Sequence, residues 1–401
     1  MKFASRHAIT PCRLRIAAVA LLAAMGSAIA AVPPALPPLP SAPSLPLPPR
    51  MLAPQIDAQA AVLLDVSSAQ TLLAQSPDTP VNPSGLVKLM TAFVLSQAEQ
   101  QGLLHADSKA RVPVSAWRVA GSRMFIQPEL PVTVVQLEDG LLIDGGNDAA
   151  IAIAKDVAGT NAGFVDLMNH DAAALGLRRT RFVNPDGLPQ AGQVSTAMDL
   201  ARLSSALVRD FPAVLGIAGR VTYTYDHIRQ FNYNPLVGQR DIDGLGVGLT
   251  NHNRWNLAIS AHKPGRMLVA VVVGAPSRAA AGSDASAMLT YGWNGWQQES
   301  VGKPGQTVGL LKNVDWSPEV LHVDTPRAVS VAVPAQRGVH VHTRFVALPG
   351  LKAPIAVGQR VGTLDILWHK QTLRSVSVVA ANAVQPANWF MRMLHKGEAA
   401  I

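Results

Sequence analysis

No packed layer can be built from residues 32–54 of this chain. Val32–Pro54 (VPPALPPLPSAPSLPLPPRMLAP) is nearly half proline. Proline removes a backbone donor and fixes φ, so the run suits polyproline II and reads as a semi-rigid spacer. A proline-rich ligand for a signalling module is the alternative, and the segment before it argues against that. Residues 1–15 are basic, Ile16–Met25 (IAAVALLAAM) is a short apolar run, and Ala28-Ile29-Ala30 offers a small-x-small cleavage pattern. That is the layout of a signal peptide over 1–30. The apolar run is about half the length a membrane-spanning anchor needs. The chain is therefore expected to be exported, with a linker over 31–54 and everything that folds lying from Gln55 onward.

Export frames the cysteine usage. Cys12 is the single cysteine of 401 residues and lies in the leader, which excludes a disulfide scaffold and a thiolate metal site. The chain is 48% apolar, 15% charged and 5% aromatic. That is too apolar for a disordered chain, yet after the leader no uninterrupted apolar run reaches the ~18 residues of a transmembrane helix. The net charge is +8, but Lys2, Arg6, Arg13 and Arg15 sit in the leader. The remainder is scattered without a basic stripe, so nucleic acid is not an expected partner.

Local patterns place the elements. Ala60–Leu64 and Thr71–Ala74 read as two short strands around a Ser67-Ser68 turn. Leu86, Leu89, Met90, Phe93 and Val94 recur at helical spacing behind Asn82-Pro83-Ser84, which supplies a cap and an early proline. A second, all-round apolar helix follows Asn147. Leu257–Ala261 and Met267–Val273 read as strands joined by a His-Lys-Pro-Gly turn. Helical periods fade after Gly292, and residues 304–382 alternate as short strands (VSVAVPA, VHVHTRFVAL, RVGTLDILWH, LRSVSVVAA), a small all-β module. The domain plan is 55–300, then 304–385, then a tail over 386–401.

Three patterns stand in order: Pro83-Ser84-Gly85-Leu86-Val87-Lys88 at a helix start, Asp144-Gly145-Gly146-Asn147-Asp148 before the core helix, and Asp243-Gly244-Leu245-Gly246-Val247-Gly248 before the Leu257 strand. With Pro54–Ala58, the Asn184-Pro185-Asp186-Gly187-Leu188 turn, Gly274–Arg278, Tyr291-Gly292-Trp293 and the trailing β-module, the chain resembles the serine-type D-alanyl-D-alanine carboxypeptidases, the low-molecular-mass penicillin-binding proteins. The resemblance runs from about Gln55 to the C-terminus. It implies an α/β penicillin-recognising domain of the β-lactamase/transpeptidase kind, an antiparallel sheet covered by helices, followed by a small all-β sandwich domain. It calls for no cofactor and no metal.

In that family the motifs are Ser-x-x-Lys, Ser-x-Asn and Lys-Thr-Gly. The first serine attacks an amide or β-lactam carbonyl with help from the lysine one turn on, the second serine relays the proton, and the Lys-Thr pair holds the substrate carboxylate. Here Lys88 matches the lysine and Asn147 the asparagine. Gly85 stands where the nucleophile belongs, Gly145 where the relay serine belongs, and Gly246-Val247 replace Lys-Thr, leaving Gly248. The family's arginine falls on Ala281, with Arg278 about a turn away as its candidate replacement. Loss of a catalytic serine alone costs on the order of 10⁶ in turnover, or about 8 kcal/mol. The resemblance with these replacements implies a pseudoenzyme that binds peptidoglycan stem peptides or β-lactam-like ligands without covalent chemistry.

Other residues carry competing readings. Ser84 lies four residues before Lys88 and is the one rescue nucleophile; the plainer reading is a helix N-cap. Ser122 and Thr250 read as loop hydroxyls bonded to their own backbone. Lys88 without its serine is expected to pair with Asn147. His340 and His342 alternate on a strand without a third metal ligand, and Asp241 and Asp243 read as turn residues. In the tail, Trp389, Phe390, Met393 and Leu394 share a face opposite Arg392, His395 and Lys396, which suits weak contact with a membrane surface. Three functions stay in play: a non-catalytic stem-peptide binder in the periplasm, peripheral on the inner membrane; an active carboxypeptidase using Ser84; and a membrane-associated scaffold working through the β-module and tail. A protein partner is left open.

Overall fold

The computed structural model describes residues 52–389 except 129, 337, 338 and 370. The leader, the linker as far as residue 51 and the tail from residue 390 lie outside the described residues.

The organising element is a five-stranded antiparallel sheet. Its strands are β1 (Ala60–Asp65), β2 (Gln70–Gln75), β7 (Ile242–Leu249), β8 (Trp255–Lys263) and β9 (Arg266–Ala275), in the order β2-β1-β9-β8-β7. β9 (RMLVAVVVGA) is almost continuously apolar because both of its faces are covered. Side chains of one parity, Leu63, Ile259, Ala270 and Val272 among them, pack on Ala281, Ala285 and Met288 of α8 (Arg278–Gly295). The other parity, with Val62, Leu64, Val269 and Val271 buried, faces α6 (Ala197–Asp210). Thr196 caps α6 by accepting from Asp199 N–H.

The remaining elements stand between β2 and β7. They are α1 (Lys88–Gln100), a two-residue ribbon of β3 (Lys109–Ala110) and β4 (Val132–Thr133), α2 (Val114–Trp117), α3 (Val134–Leu142), α4 (Asn147–Ala158), α5 (Asn161–Ala174), α7 (Ala213–Ala218) and the hairpin β5 (Thr222–Tyr225)/β6 (Ile228–Phe231). Leu86, Leu89, Met90, Phe93 and Val94 are all buried, as their spacing requires.

α8 passes without a loop into β10 (Trp296–Gly302), which pairs with β14 (Val329–Pro334). The all-β domain is completed by a sheet of β11 (Thr307–Lys312), β13 (Val320–Asp324), β17 (Gln371–Ala380), β16 (Arg360–Trp368) and β15 (His342–Ala347) in that order, and by short β12 (Trp316–Ser317) paired with β18 (Gln385–Pro386). Its own core holds Leu321, Val323, Val361, Leu364 and Val378. A second junction is hydrogen-bonded: Gln70 Nε2 donates to Ala332 O (3.1 Å) and Ala332 N–H donates to Gln70 Oε1 (2.6 Å). Asp65, fully buried, accepts from Arg266 Nε (2.7 Å) and Gln298 Nε2 (3.1 Å). The antiparallel sheet covered by helices and the all-β domain after it agree with the architecture the sequence implied.

Two local readings change. β15 begins at His342, so His340 precedes the strand instead of alternating with it. Asp243 lies inside β7, not in a turn; it is buried and accepts from Ser260 Oγ (3.1 Å) and bonds His262 Nδ1 (2.6 Å) on β8. Asp241, at φ +66, is the turn residue. Among the described residues, no helix is long and apolar enough to cross a membrane.

Candidate functional site

The first motif is set by a convergence of three backbones. Asn256 Nδ2 donates to the carbonyls of Asn82 (2.9 Å) and Pro83 (3.1 Å), pinning the approach to α1 against β8. Asn82 Oδ1 accepts from Ser84 N–H (2.9 Å), and Ser84 takes up φ +49 before a single 3₁₀ turn, Ser84–Val87, leads into α1. Ser84 is not an N-cap: its Oγ donates to Leu249 O of β7 (2.6 Å), and it is almost wholly buried. The reason is its left-handed backbone, which swings the hydroxyl off the helix axis toward the strand. Gly187, at φ +80, sits so close to the Ser84 carbonyl that a Cβ there would overlap it.

Gly85 faces β7 directly. A Cβ on it would overlap the Val247 carbonyl oxygen and stand 2.9 Å from Gly248 Cα; a Cβ on Gly248 would come within 2.5 Å of Gly85 N. Two glycines thus let a strand and a helix start touch through their main chains. Gly246 is roomier, with only the ends of Leu86 and Leu89 at 3.3 and 3.4 Å from where its Cβ would be. Gly145, at φ +70, has nothing within 4 Å of that position.

Lys88 is buried, and its Nζ donates to the carbonyl oxygen of Asp186 (2.5 Å). Pro185 O accepts from Thr91 Oγ1 (2.6 Å), so the Asn-Pro-Asp-Gly turn is held to α1 at two points one turn apart. Burial lowers the Lys88 pKa to about 8, against the opposing pull of Asp186, Asp144 and Asp148. The expected Lys88–Asn147 pair does not form. Asn147 Nδ2 donates to Ala120 O (2.7 Å), because the 120–126 segment is drawn onto the start of α4. Asp148 does the drawing: its carboxylate accepts from the N–H groups of Met124 (2.9 Å), Phe125 (2.8 Å), Ile126 (3.2 Å) and Ala149 (2.9 Å). Ser122 Oγ donates across to Asp144 O (2.7 Å) instead of to its own neighbourhood, whereas Thr250 Oγ1 accepts locally from Arg254 N–H (3.1 Å). Asp144 has its pKa raised by burial to about 7, with Tyr223 OH donating to it at 2.8 Å.

One cavity of about 530 Å³ gathers these positions: Ser84, Gly85 and Lys88 from the helix start, Gly145 and Asn147 from the second motif, and Gly246, Val247 and Gly248 from β7. Leu89, Leu141, Leu142 and Trp255 make much of the rest apolar. Arg278 is not among the described residues lining it. It opens α8 on the solvent side, while Ala281, three residues on, is buried in the core. Sequence reasoning passed over Asp144 and Asp186 as lining residues; the only signal was their place beside the motif glycines. A larger hollow of about 1180 Å³ runs along α8, past Gly282, Ser283, Ser286 and Ala287, but none of the described residues lining it is charged, whereas those of the motif cavity include Lys88, Asp144 and Asp186. Lys88 is the one cation among the described lining residues, and the hydroxyls of Ser84 and Ser122 are both turned to backbone carbonyls.

Residues 49–277 match the family model of D-alanyl-D-alanine carboxypeptidase, and residues 296–386 match that of the penicillin-binding protein 5 C-terminal domain. The D-alanyl-D-alanine carboxypeptidase DacC of Escherichia coli is 31% identical over 350 residues, covering 85% of this chain and 88% of that protein. DacD of Salmonella typhimurium is 32% identical over 349 residues, covering 85% and 90%. Among solved structures, penicillin-binding protein 5 of Haemophilus influenzae superposes with a TM-score of 0.78 at 28% identity, covering 83% of this chain and 99% of that one.

Proposed function

Because the chain belongs to the D-alanyl-D-alanine carboxypeptidase family, we propose that it is an exported envelope protein whose cleft binds peptidoglycan stem peptides without cleaving them. The observation that carries this reading is the contact between Gly85 and β7. Gly85 falls where the family resemblance puts the nucleophile, and it offers no side chain. The strand opposite has no room for one either, since a Cβ at Gly85 would overlap Val247 O. No ester can form at a residue without a hydroxyl, whatever the cleft contributes by binding.

The surrounding chemistry supports the same reading. The positions matched to the carboxylate-holding pair are Gly246 and Val247, which present no cation and no hydroxyl. Lys88 Nζ is bonded to the Asp186 carbonyl, and the hydroxyls of Ser84 and Ser122 go to other carbonyls, so neither serine is paired with it. Ser84, the candidate substitute, has its proton directed to Leu249 O and not to Lys88. What remains is an apolar groove edged by main-chain groups of β7, an edge strand with one side unpaired in the sheet order. Such a groove suits an extended peptide held by backbone hydrogen bonds. The leader over 1–30 supports the periplasm as its compartment, and the tail supports weak contact with the inner-membrane surface.

The test is a paired measurement on the purified mature protein. Calorimetric titration with a stem pentapeptide is expected to show saturable binding, while the recovered peptide keeps its terminal D-alanine. Release of D-alanine above the buffer blank, abolished by Ser84→Ala, would instead establish an active carboxypeptidase with a displaced nucleophile. Absence of binding together with intact function after Lys88 substitution would favour a scaffold acting through the β-domain.

A further inference from the structure

Among the described residues lining the cavity Lys88 supplies the one amine, and both serine hydroxyls are committed to backbone carbonyls. Lys88 Nζ gives one N–H to Asp186 O at 2.5 Å. In the neutral amine that bond turns the lone pair away from the oxygen. The same cavity is bounded by Gly145, where a Cβ would meet nothing within 4 Å, so that wall leaves open space in the cavity that Lys88 also lines. Ser84 and Ser122 also line it, and each donates to a backbone carbonyl, of Leu249 and Asp144 respectively. Burial lowers the amine to about 8 although the charges of Asp186 in the turn, Asp144 just before α4 and Asp148 in its first turn all oppose the shift. Near neutral pH such a lysine carries roughly 300-fold more neutral amine than one titrating at the ordinary value.

We propose that Lys88 is itself an acylation site, taking the acyl group of a strained cyclic amide, a β-lactam, directly onto nitrogen. This rests on the reading that no serine in the cleft forms an acyl-enzyme. The amine lone pair attacks the lactam carbonyl carbon and a C–N bond forms. The ring C–N bond then breaks, and a proton from the attacking nitrogen passes to the departing ring nitrogen, which stays tethered as an amine. Atoms and charge balance with no further reactant. The product is a secondary amide, which lacks the lability of a serine ester, so the protein is modified once and does not turn over. Ring strain supplies the activation. An unstrained stem peptide lacks it and leaves the cleft unchanged.

The experiment uses the mature parent protein with benzylpenicillin at pH 6, 8 and 9, read by intact mass, peptide mapping and hydroxylamine treatment. The expected result is one hydroxylamine-stable adduct on Lys88, absent from Lys88→Arg. Its rate should rise roughly 50-fold from pH 6 to 8 and less than about twofold from pH 8 to 9, following an amine that titrates near 8. An exposed lysine would keep rising about tenfold over that last unit. Lys88 unmodified while a stem peptide still binds would overturn this proposal alone, as would adducts spread evenly over exposed lysines such as Lys263. A hydroxylamine-labile ester on Ser84 would overturn both it and the non-catalytic reading. Mapping the parent protein decides the matter even if Lys88→Arg fails to fold.

Discussion

Gly85→Ala puts the closed approach of β7 to the test. The added methyl would overlap the Val247 carbonyl oxygen and stand 2.9 Å from Gly248 Cα. Carbon atoms settle at about 3.5–4.0 Å, so β7 must withdraw by roughly 1 Å. The obstacle is main chain on both sides, and β7 is held to β8 by pairs from Ile242 to Leu249, so no side chain can rotate to make room. Overpacking of this kind costs about 1–3 kcal/mol. At about 2 kcal/mol, a cooperative unit spanning residues 52–389 should lose roughly 3 °C in Tm. Gly246→Ala is the control on the same strand, because its Cβ meets only the flexible ends of Leu86 and Leu89 at 3.3 and 3.4 Å. Its effect should stay within about 0.5 kcal/mol, helped by the entropy that alanine removes from the unfolded chain. Urea denaturation of both variants beside the parent gives the comparison. Equal stability of Gly85→Ala and Gly246→Ala would falsify the contact. The same reasoning applies to restoring the family motifs: Gly85→Ser should destabilise the protein in any background that leaves β7 in place.

Glu138 of α3 is buried against Glu99 of α1, with Asp139 beside it, and its pKa is raised to about 8, chiefly by burial. A carboxyl whose folded pKa lies above its unfolded value contributes stability at low pH and loses it as pH rises through about 8. Denaturation midpoints should therefore fall from about pH 5 to 8 and level off above that, and Glu138→Gln should flatten the slope; an unchanged slope would place the pH dependence elsewhere. Asp148→Ala removes the acceptor of four main-chain N–H groups and should cost at least about 3 kcal/mol, with faster proteolysis between residues 117 and 126 than in the parent. Ser84→Ala loses one hydrogen bond to Leu249 O, about 1 kcal/mol, and should leave stem-peptide affinity unchanged; a loss of affinity beyond tenfold would give Ser84 a direct part in binding.

The elements most legible in the sequence were those whose burial is one-dimensional. Met267–Val273 reads as a strand because it is apolar almost throughout, as covered faces require, and Leu86–Val94 reads as a helix because one face repeats into the core. Asp243 was misread because the strand around it carries glycine at 244, 246 and 248, a composition that favours a turn; only pairing with β8 and the bonds to Ser260 and His262 make it a strand residue. The motif positions were readable as a set, and the structure brings all of them but Arg278 to one cavity. Their partners were not. Lys88 bonds a carbonyl oxygen 98 positions away and Ser84 one 165 positions away, and a backbone carbonyl leaves no trace in residue identity. Phase also escaped: whether position 278 or 281 of α8 faces inward depends on where the helix begins, and here Ala281 takes the core.

Leu72 and Leu73 of β2 share a continuous buried cluster with Val331 and Ala332 of β14, Trp368 of β16 and Leu373 of β17. Two family models meet in this chain, yet its oil does not divide where they do. Cutting the polypeptide near residue 300 would bare a seam of leucine, valine and tryptophan on both fragments, and neither would keep the surface it has in the whole. Amputation is thus a poor way to ask what the β-domain is for, because the cleft-bearing half would sicken with it. Heat or denaturant should melt both halves in a single transition, and the two must be inherited, and repaired by mutation, as one body.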